Sequence, residues 1–407
     1  MIRYLAIDGN YFANRCIFTL NQGDNVNNLE TDLECQRFYE ALKVQLAKIW
    51  DVFGKHCDNI IFVSDSYSWR SQLEPYKPYY VKLQEREEEG GEEINITYKG
   101  LRKELKEESD INYENFYKYY NMFIESIYDK IPVFKVDGLE GDDLFALIAD
   151  HINADGDECC IFGTDKDLTQ LVNNGVFMFL NTRSKQNPNG LYMISKEISN
   201  IYIPEKPDPL KMLIARHTDD ISFKNLLSAD LYDKNGSVNR LWGNGLKIAE
   251  PNKIILNKIV CGDKSDNILP LFRWKSGERN YSVTEKMIEK AFFNMMENYN
   301  EGTCKVVLND FDTLVDFLSN LMIITRQKCS MYIIREHFSY NRQIVELNRK
   351  YMPAESVEKF ENRFKELQPK MNKMLGYEYI RDILNLASAQ INDQAINILK
   401  DSIPEDF

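Results

Sequence analysis

The chain has 407 residues, 43% of them hydrophobic and 12% aromatic, so it is long enough for two or three folded units and too apolar for a disordered protein. Its 63 acidic and 50 basic residues give a net charge of −13, which by itself argues against a polyanionic ligand. Eight cysteines without paired spacing and four scattered histidines suggest neither a disulfide framework nor a zinc site. Without a signal-peptide pattern or an apolar run of roughly 20 residues, we expect a cytoplasmic protein with no membrane contact.

The first 180 residues alternate short apolar runs with helical patterns, which predicts an α/β fold with a mostly parallel central sheet flanked by helices. Apolar spacing of three and four residues predicts helices over 38–54 and 143–152. The predicted strands, in chain order, cover residues 3–7, 59–64, 131–136, 158–164 and 175–180.

Two irregular segments interrupt this pattern. Residues 68–120 are rich in Tyr, Lys, Arg and Glu and include an acidic run at 85–93, which predicts an excursion from the sheet, part of it helical. Residues 185–255 form an insertion to which we assign no role. After it the chain is helical, so we predict an α/β domain over 1–255 and a helical domain over 256–407.

Nine carboxylates occur in five short blocks, each at a predicted strand end, in a turn or at the start of a helix. They are Asp8, Asp65, Glu140, Asp142, Asp143, Asp165, Asp167, Asp263 and Asp266. One block alone is as well explained by helix capping or by a turn. Together, however, carboxylates at the ends of neighbouring parallel strands converge on one cleft, where only cations offset their charge. Oxygen ligands of this kind favour Mg²⁺ or Mn²⁺, and two such ions suit phosphodiester hydrolysis.

The order of these blocks resembles the 5′ nucleases, that is, the flap endonucleases and 5′→3′ exonucleases of bacteria and phages. The resemblance is carried by IDGN, FVSDSYSWR, LEGDD, GTDKDLTQL and GDKSDNI, and it spans about residues 1–290. The stretch FRWKSGERNYSVTEKMIEKAF is most similar to the phage ribonuclease H branch, which is named for degrading RNA primers. The resemblance implies a PIN-like core, a helical arch over residues 70–120 and a phage protein acting in the bacterial cytoplasm.

The resemblance also implies roles for the carboxylates. Asp8, Asp65, Asp142 and Asp165 match ligands of a first metal ion. The remaining five match ligands of a second ion or outer-sphere groups, namely Glu140, Asp143, Asp167, Asp263 and Asp266.

Basic residues near Asp65 match the family's contacts to the scissile phosphate. Arg70 can hold a phosphate by two parallel hydrogen bonds, and Lys77 acts as a point charge. The family commonly has a further Arg just after this Lys, where the chain has Pro78, Tyr79 and Tyr80. Lys82 or Arg86 is the candidate replacement. Tyr76, Tyr79, Tyr80 and Tyr98 either stack on bases or pack the arch against the protein.

A duplex-binding element is expected just after the last acidic block. The family's Gly-Ile-Gly pattern is missing there, and the chain offers Arg273, Lys275, Gly277 and Arg279 instead. The expected partners are a DNA duplex with a 5′ flap or an RNA-primer hybrid. A sliding clamp, reached through the tail IPEDF, and a single-strand-binding protein are further candidates.

The leading hypothesis is a structure-specific, metal-dependent 5′ nuclease that removes flaps or RNA primers during DNA replication. A PIN-type ribonuclease would share the acidic core without needing Arg70, Lys77 or the GDKSDN block. A catalytically silent nucleic-acid-binding protein on the same fold would be expected to have lost some of the acids.

Overall fold

Seven strands of the described residues form one sheet. The computed structural model describes residues 2–21, 27–54, 57–82, 96–100, 106, 109–180, 191–195, 246–276, 279–376 and 378–385. The acidic run at 85–93, Arg86, most of the 185–255 insertion, Gly277 and the tail IPEDF lie outside these residues.

The sheet has the strand order β3-β2-β1-β4-β5-β6-β7. Its first five strands are parallel to one another, β6 runs antiparallel to β5, and β7 is parallel to β6. The predicted mostly parallel α/β fold is therefore confirmed, although β6 and β7 were not predicted. The strands are β1 (Arg3–Asp8), β2 (Asn59–Val63), β3 (Val133–Phe134), β4 (Glu158–Gly163), β5 (Val176–Leu180), β6 (Leu191–Ile194) and β7 (Leu246–Ile248).

The central strands are apolar because helices cover both faces of a parallel sheet. Every residue of β2, β4 and β5 is buried. Since β1 lies between β2 and β4, with Asp8 beside Val63 and Ile7 beside Phe162, its carboxyl end lies at the middle of the sheet edge. Carboxylates that follow β1, β2 and β4 are therefore brought to one edge of the sheet.

Six helices belong with the sheet in the described residues. They are α1 (Gly9–Leu20), α2 (Asp32–Phe53), α3 (Tyr113–Tyr128), α4 (Gly141–Asp155), α10 (Ala354–Met371) and α11 (Tyr379–Ile383). The helices predicted over 38–54 and 143–152 are confirmed, and both begin earlier than predicted. Helix α2 starts early because Thr31 and Glu34 form a capping box, in which each side chain accepts the other's backbone N–H.

The remaining described helices build a second hydrophobic core. They are α5 (Pro251–Cys261), α6 (Glu285–Asn294), α7 (Glu301–Asn309), α8 (Phe311–Thr325) and α9 (Met331–Val345), and they pack around buried residues such as Leu256, Phe292 and Phe317. A two-stranded antiparallel hairpin, β8 (Arg273–Ser276) and β9 (Arg279–Ser282), precedes α6. No described helix is long and apolar enough to cross a bilayer.

The chain divides into two compact units that are not contiguous in sequence. The sheet unit comprises Met1–Tyr67, Ser109–Ala249 and Met352–Phe407, and the helical unit comprises Ser68–Glu108 and Glu250–Tyr351. These compact units differ from the two domains predicted over 1–255 and 256–407. The domain boundary itself stays a prediction.

The C-terminal helix α10 belongs to the sheet unit because of long-range contacts. The Asn59 side-chain amide, at the start of β2, donates to the carbonyls of Lys370, Met371 and Lys373 at 2.7–2.8 Å. Phe134 of β3 stacks on Phe360 of α10 at a ring-centroid distance of 5.5 Å.

Candidate metal centre and nucleic-acid-binding elements

Asp8 is the last residue of β1 and the N-cap of α1, so its carboxylate lies at the junction of strand and helix. One oxygen accepts the backbone N–H of Tyr11 at 2.9 Å. The pKa of Asp8 is raised to about 7, chiefly by desolvation on burial and in part by the negative charges of Asp65 and Asp165. Asp65 and Asp165 therefore lie close enough to Asp8 to repel its charge at this edge of the sheet.

Asp65 follows β2 by two residues and is held from two sides. The backbone N–H of Gly141, the first residue of α4, donates to its Oδ1 at 2.5 Å. The Asn10 side-chain amide donates to its Oδ2. A Cβ at position 141 would lie 2.6 Å from Oδ1, so a glycine there allows the helix to approach the carboxylate. Neither Asn10 nor Gly141 was predicted as a site residue; Asn10, two residues after Asp8, was the one sequence signal available.

The acidic block at residues 140–143 opens α4, as predicted. Asp143 is fully buried, and its carboxylate accepts the backbone N–H of Glu140 at 3.2 Å. This contact is a helix-capping interaction, the alternative that the sequence left open for this block. Asp142 is partly exposed in the first helical turn, next to the Gly141 contact with Asp65.

Asp165 follows β4 and caps a short 3₁₀ helix, Lys166–Leu171. Its Oδ1 accepts the backbone N–H of Asp167 at 2.9 Å. Gly163, two residues earlier, lies against Asp8, and a Cβ there would stand 3.4 Å from the Asp8 Cβ. The end of β4 thus approaches the end of β1 closely, which explains the repulsion between their carboxylates.

The donor set of the sheet unit fits hard divalent cations. Every candidate ligand in it is a carboxylate oxygen, and Asp8 is a desolvated acid repelled by two others. A desolvated carboxylate beside like charges takes up either a proton or a cation. The order of the acids along the chain and their meeting at one edge together identify a candidate metal centre.

Asp263 and Asp266 lie in the helical unit, in a loop that follows α5. Their carboxylate oxygens lie within 4.8 Å of each other. Lys258 pairs with Asp263 at 2.5 Å. Burial alone would raise the pKa of Asp263, but the hydrogen bonds from Lys258 and Ser265 lower it to about 2. Asp263 is therefore held in its ionised form beside Asp266.

The basic residues predicted to contact phosphate differ in exposure. Arg70 is 2% exposed, and its Nε donates to the carbonyl of Ile344 at 2.9 Å. Lys77 is partly buried, whereas Lys82 is exposed at the end of the described part of this segment. Arg70 has the contacts of a structural residue, and the phosphate roles of all three stay predictions.

The tyrosines of the same segment pack within the helical unit. The hydroxyls of Tyr76, Tyr79 and Tyr80 donate to Ile333, Gln327 and Pro270 at 2.8–3.2 Å. The Tyr76 ring stacks on His337 at 5.0 Å. These contacts agree with the packing interpretation rather than with base stacking.

The predicted duplex-binding residues lie on the β8–β9 hairpin. Lys275 and Arg279 are exposed, Arg273 is partly exposed, and Gly277 lies beyond the described residues. Trp274 and Tyr281 are cross-strand partners whose rings stack at 6.0 Å and 14°. An antiparallel ribbon with basic side chains therefore stands where the family pattern has glycines, and its role in binding stays a prediction.

Comparison with known proteins gives one family match. Residues 3–199 match the family described as 5′-3′ exonuclease, N-terminal resolvase-like domain. No curated protein matches the chain.

Several solved structures are similar to the chain at low identity. The bacteriophage T5 5′-exonuclease with bound zinc ions is 17% identical, with a TM-score of 0.48. The T5 flap endonuclease in a pseudo-enzyme–product complex with DNA and metal ions is 15% identical, also with a TM-score of 0.48. Each alignment covers 91% of this chain and 100% of the phage protein.

Proposed function

The chain belongs to the 5′ nuclease superfamily, and from this premise we propose that it is a structure-specific, metal-dependent 5′ nuclease. The substrates we propose are 5′ flaps, nicked duplexes and RNA primers annealed to DNA. Removal of such strands is a step of DNA replication, and the similarity to the phage ribonuclease H branch supports that assignment.

The observation that carries the proposal is the convergence of Asp8, Asp65 and Asp165 at the carboxyl edge of the sheet. Mg²⁺ or Mn²⁺ bound there would supply an activated water and stabilise the leaving oxygen of the phosphodiester. Asp8, Asp65, Asp142 and Asp165 are the proposed ligands of a first ion. Glu140, Asp143, Asp167, Asp263 and Asp266 are proposed to serve a second ion or to orient its ligands.

The chain's own residues position these carboxylates. Asn10 and the Gly141 N–H fix both oxygens of Asp65, so this ligand is oriented before any ion arrives. The backbone N–H groups of Tyr11 and Asn10 donate to the Asp8 carboxylate and hold it at the start of α1. Preorganisation of this kind lowers the cost of assembling an ion site.

Substrate contacts are proposed for the basic residues. Arg70, Lys77 and Lys82 are proposed to stabilise charge on the scissile phosphate. Arg273, Lys275, Gly277 and Arg279 are proposed to hold the duplex phosphates. The hairpin's exposed cations support this role in a chain whose net charge is −13.

The test is digestion of a 5′-flap duplex, a nicked RNA–DNA hybrid and free single-stranded RNA, with Mg²⁺ or with chelator. We expect Mg²⁺-dependent cleavage at or near the 5′ ends of the first two substrates. Asp142→Asn and Asp165→Asn should each lose turnover by at least about 100-fold while keeping a cooperative unfolding transition.

The other two functions predict different outcomes. A PIN-type ribonuclease would cleave the free single-stranded RNA and leave the flap duplex intact. A silent binding protein would retain the flap substrate in a gel-shift assay without cutting it under any metal condition. Near-normal turnover in both Asn variants would refute the proposed metal centre.

A further inference from the structure

The loop that carries Asp263 and Asp266 is closed on itself by backbone hydrogen bonds. The N–H of Asp263 donates to the carbonyl of Ile268 at 2.9 Å, and the reverse bond measures 2.7 Å. Gly262 allows this closure, because a Cβ at its φ of +72° would lie 2.3 Å from the Ile268 carbonyl. The two carboxylates are thus set on a small closed loop.

A separate segment of the chain makes two hydrogen bonds to this loop. The N–H of Lys99 donates to the carbonyl of Asp266 at 2.9 Å. In return, the Asn267 side-chain amide donates to the carbonyl of Thr97, also at 2.9 Å. Thr97 and Lys99 belong to the excursion from the sheet, residues 68–120. They are more than 160 residues away in sequence from the loop that carries Asp263 and Asp266.

We infer that Asn267 is a positioning residue for the Asp263–Asp266 carboxylate pair, acting through its hydrogen bond to Thr97. Residues 97–99 and the cation-binding loop then form one coupled element, in which the position of one depends on that of the other. This inference rests on the proposed function, since it assigns a cation-binding role to that pair.

The backbone conformations show why this position is restrictive. Asn267 has a φ of +58° and Lys99 a φ of +54°, both in the left-handed region. Asn tolerates this region better than most residues, and its short amide reaches a neighbouring carbonyl. Asn267 therefore contributes both a left-handed backbone conformation and a side-chain hydrogen bond. Two different substitutions distinguish these contributions.

The variants are Asn267→Gly and Asn267→Ala. Glycine keeps the left-handed conformation and removes the side-chain hydrogen bond to Thr97, whereas alanine also adds backbone strain. Asn320→Ala is the matched control, because it removes an amide that donates to the Asp316 carbonyl on the exposed surface of α8. Circular dichroism and thermal unfolding establish that each variant is folded.

The measurements are Mn²⁺ affinity by electron paramagnetic resonance and hydrogen exchange at the Lys99 amide with and without Mn²⁺. We expect Asn267→Gly to weaken the binding of one ion by about 10-fold, the lower end of the range for groups that orient metal ligands. In the wild-type protein, Mn²⁺ should slow exchange at Lys99, and this protection should be lost in Asn267→Gly. Asn320→Ala should match the wild type in both measurements.

The outcomes separate this inference from the proposed function. A wild-type protein that binds no Mn²⁺ overturns both. Wild-type binding with unchanged affinity in Asn267→Gly, and with Lys99 exchange indifferent to the ion, overturns only the role of Asn267. Loss of affinity in Asn267→Ala alone would assign the effect to backbone strain and would likewise reject the hydrogen-bond role.

Discussion

The backbone N–H of Gly141 donates to the Asp65 carboxylate at 2.5 Å, which ties the first turn of α4 to the loop that follows β2. A helix N-terminus carries a partial positive charge, which suits contact with a carboxylate. The same contact makes the start of an acidic helix part of the candidate metal centre. A substitution at Gly141 should therefore affect activity and stability in opposite directions.

Gly141→Ala should reduce cleavage without reducing stability. The added Cβ would lie 2.6 Å from the Asp65 Oδ1, so the carboxylate must move, while alanine improves helix propensity by about 1 kcal/mol. We expect the single-turnover rate to fall about 10- to 100-fold and the free energy of unfolding in urea to stay level or rise. Gly376→Ala is the control, because no atom lies within 4 Å of its added Cβ. Full activity of Gly141→Ala would show that Asp65 is not a ligand whose placement matters.

Asp8→Asn should change how stability depends on pH in the metal-free protein. The pKa of Asp8 is raised from its ordinary value to about 7, chiefly by desolvation. The folded state therefore holds this proton more tightly than the unfolded state. The stability that Asp8 contributes through this bound proton is fully present below about pH 4. It is lost as the pH rises to about 7.

Urea unfolding at several pH values, in chelator, measures this effect. The wild type should lose stability relative to Asp8→Asn between about pH 4 and pH 7, so that the variant is the more stable at pH 8. Added Mg²⁺ should stabilise the wild type more than the variant, because only the wild type offers this carboxylate. Parallel pH profiles for the two proteins would contradict the assignment of a raised pKa to Asp8.

Sequence reasoning located the strand-end carboxylates because the rule linking them is local. Asp8 and Asp165 each follow a recognisable apolar run, and parallel strands bring such ends to one edge. The partners of Asp65 were not predictable in this way, since Asn10 and Gly141 come from two other elements. Likewise, Asp143 carries the same acidic signal as its neighbours, and only the structure shows its carboxylate capping α4.

The placement of the C-terminal helix illustrates the same limit over a longer distance. Its amphipathic pattern predicts a helix, and packing against the α/β core is expected, but the sequence does not indicate which residues of the sheet the helix contacts. The hydrogen bond that fixes the end of α10 against the sheet joins Asn59 to Met371, which is 312 residues further along the chain. Nothing in a single sequence marks a buried asparagine as the partner of carbonyls that far away.

Asn59→Ala should destabilise the sheet unit substantially. The side chain is fully buried, and its amide satisfies the last carbonyls of α10 at 2.7–2.8 Å. Leaving buried acceptors unsatisfied costs about 1–3 kcal/mol for each group, although relaxation of the helix end will recover part of it. We expect a loss of at least about 2 kcal/mol in the free energy of unfolding. Asn59→Asp should be worse than Asn59→Ala, because it places a charged acceptor against carbonyl oxygens, and the reverse order would contradict this account.

His337 should make the helical unit sensitive to mild acid. Desolvation by burial lowers the pKa of His337 to about 3, so the folded protein keeps the ring neutral well below its ordinary value of 6.5. The unfolded chain takes up the proton first as the pH falls. The stability that neutral His337 contributes is therefore fully present above about pH 6.5. It is lost as the pH falls towards 3, by about 1.4 kcal/mol per pH unit for one proton.

His337→Phe isolates this contribution, since phenylalanine keeps a ring beside Tyr76 but does not titrate. The variant should be less stable than the wild type at pH 7.5, because it loses a hydrogen bond to the Leu269 backbone. The difference should shrink as the pH is lowered to 5.

Lys275→Ala and Arg279→Ala should weaken duplex binding in a salt-dependent way. Both side chains are exposed on the β8–β9 hairpin, which suits contacts to phosphates rather than to base edges. Each lost phosphate contact should reduce the slope of log K against log salt by about 0.9, with little change in sequence preference. Fluorescence anisotropy with a catalytically inactive Asp165→Asn background, in chelator-free buffer, measures the slopes without cleavage. Lys365→Ala, an exposed lysine on α10, should leave the slope unchanged. Equal slopes in the hairpin variants and this control would remove the hairpin from the duplex-binding surface.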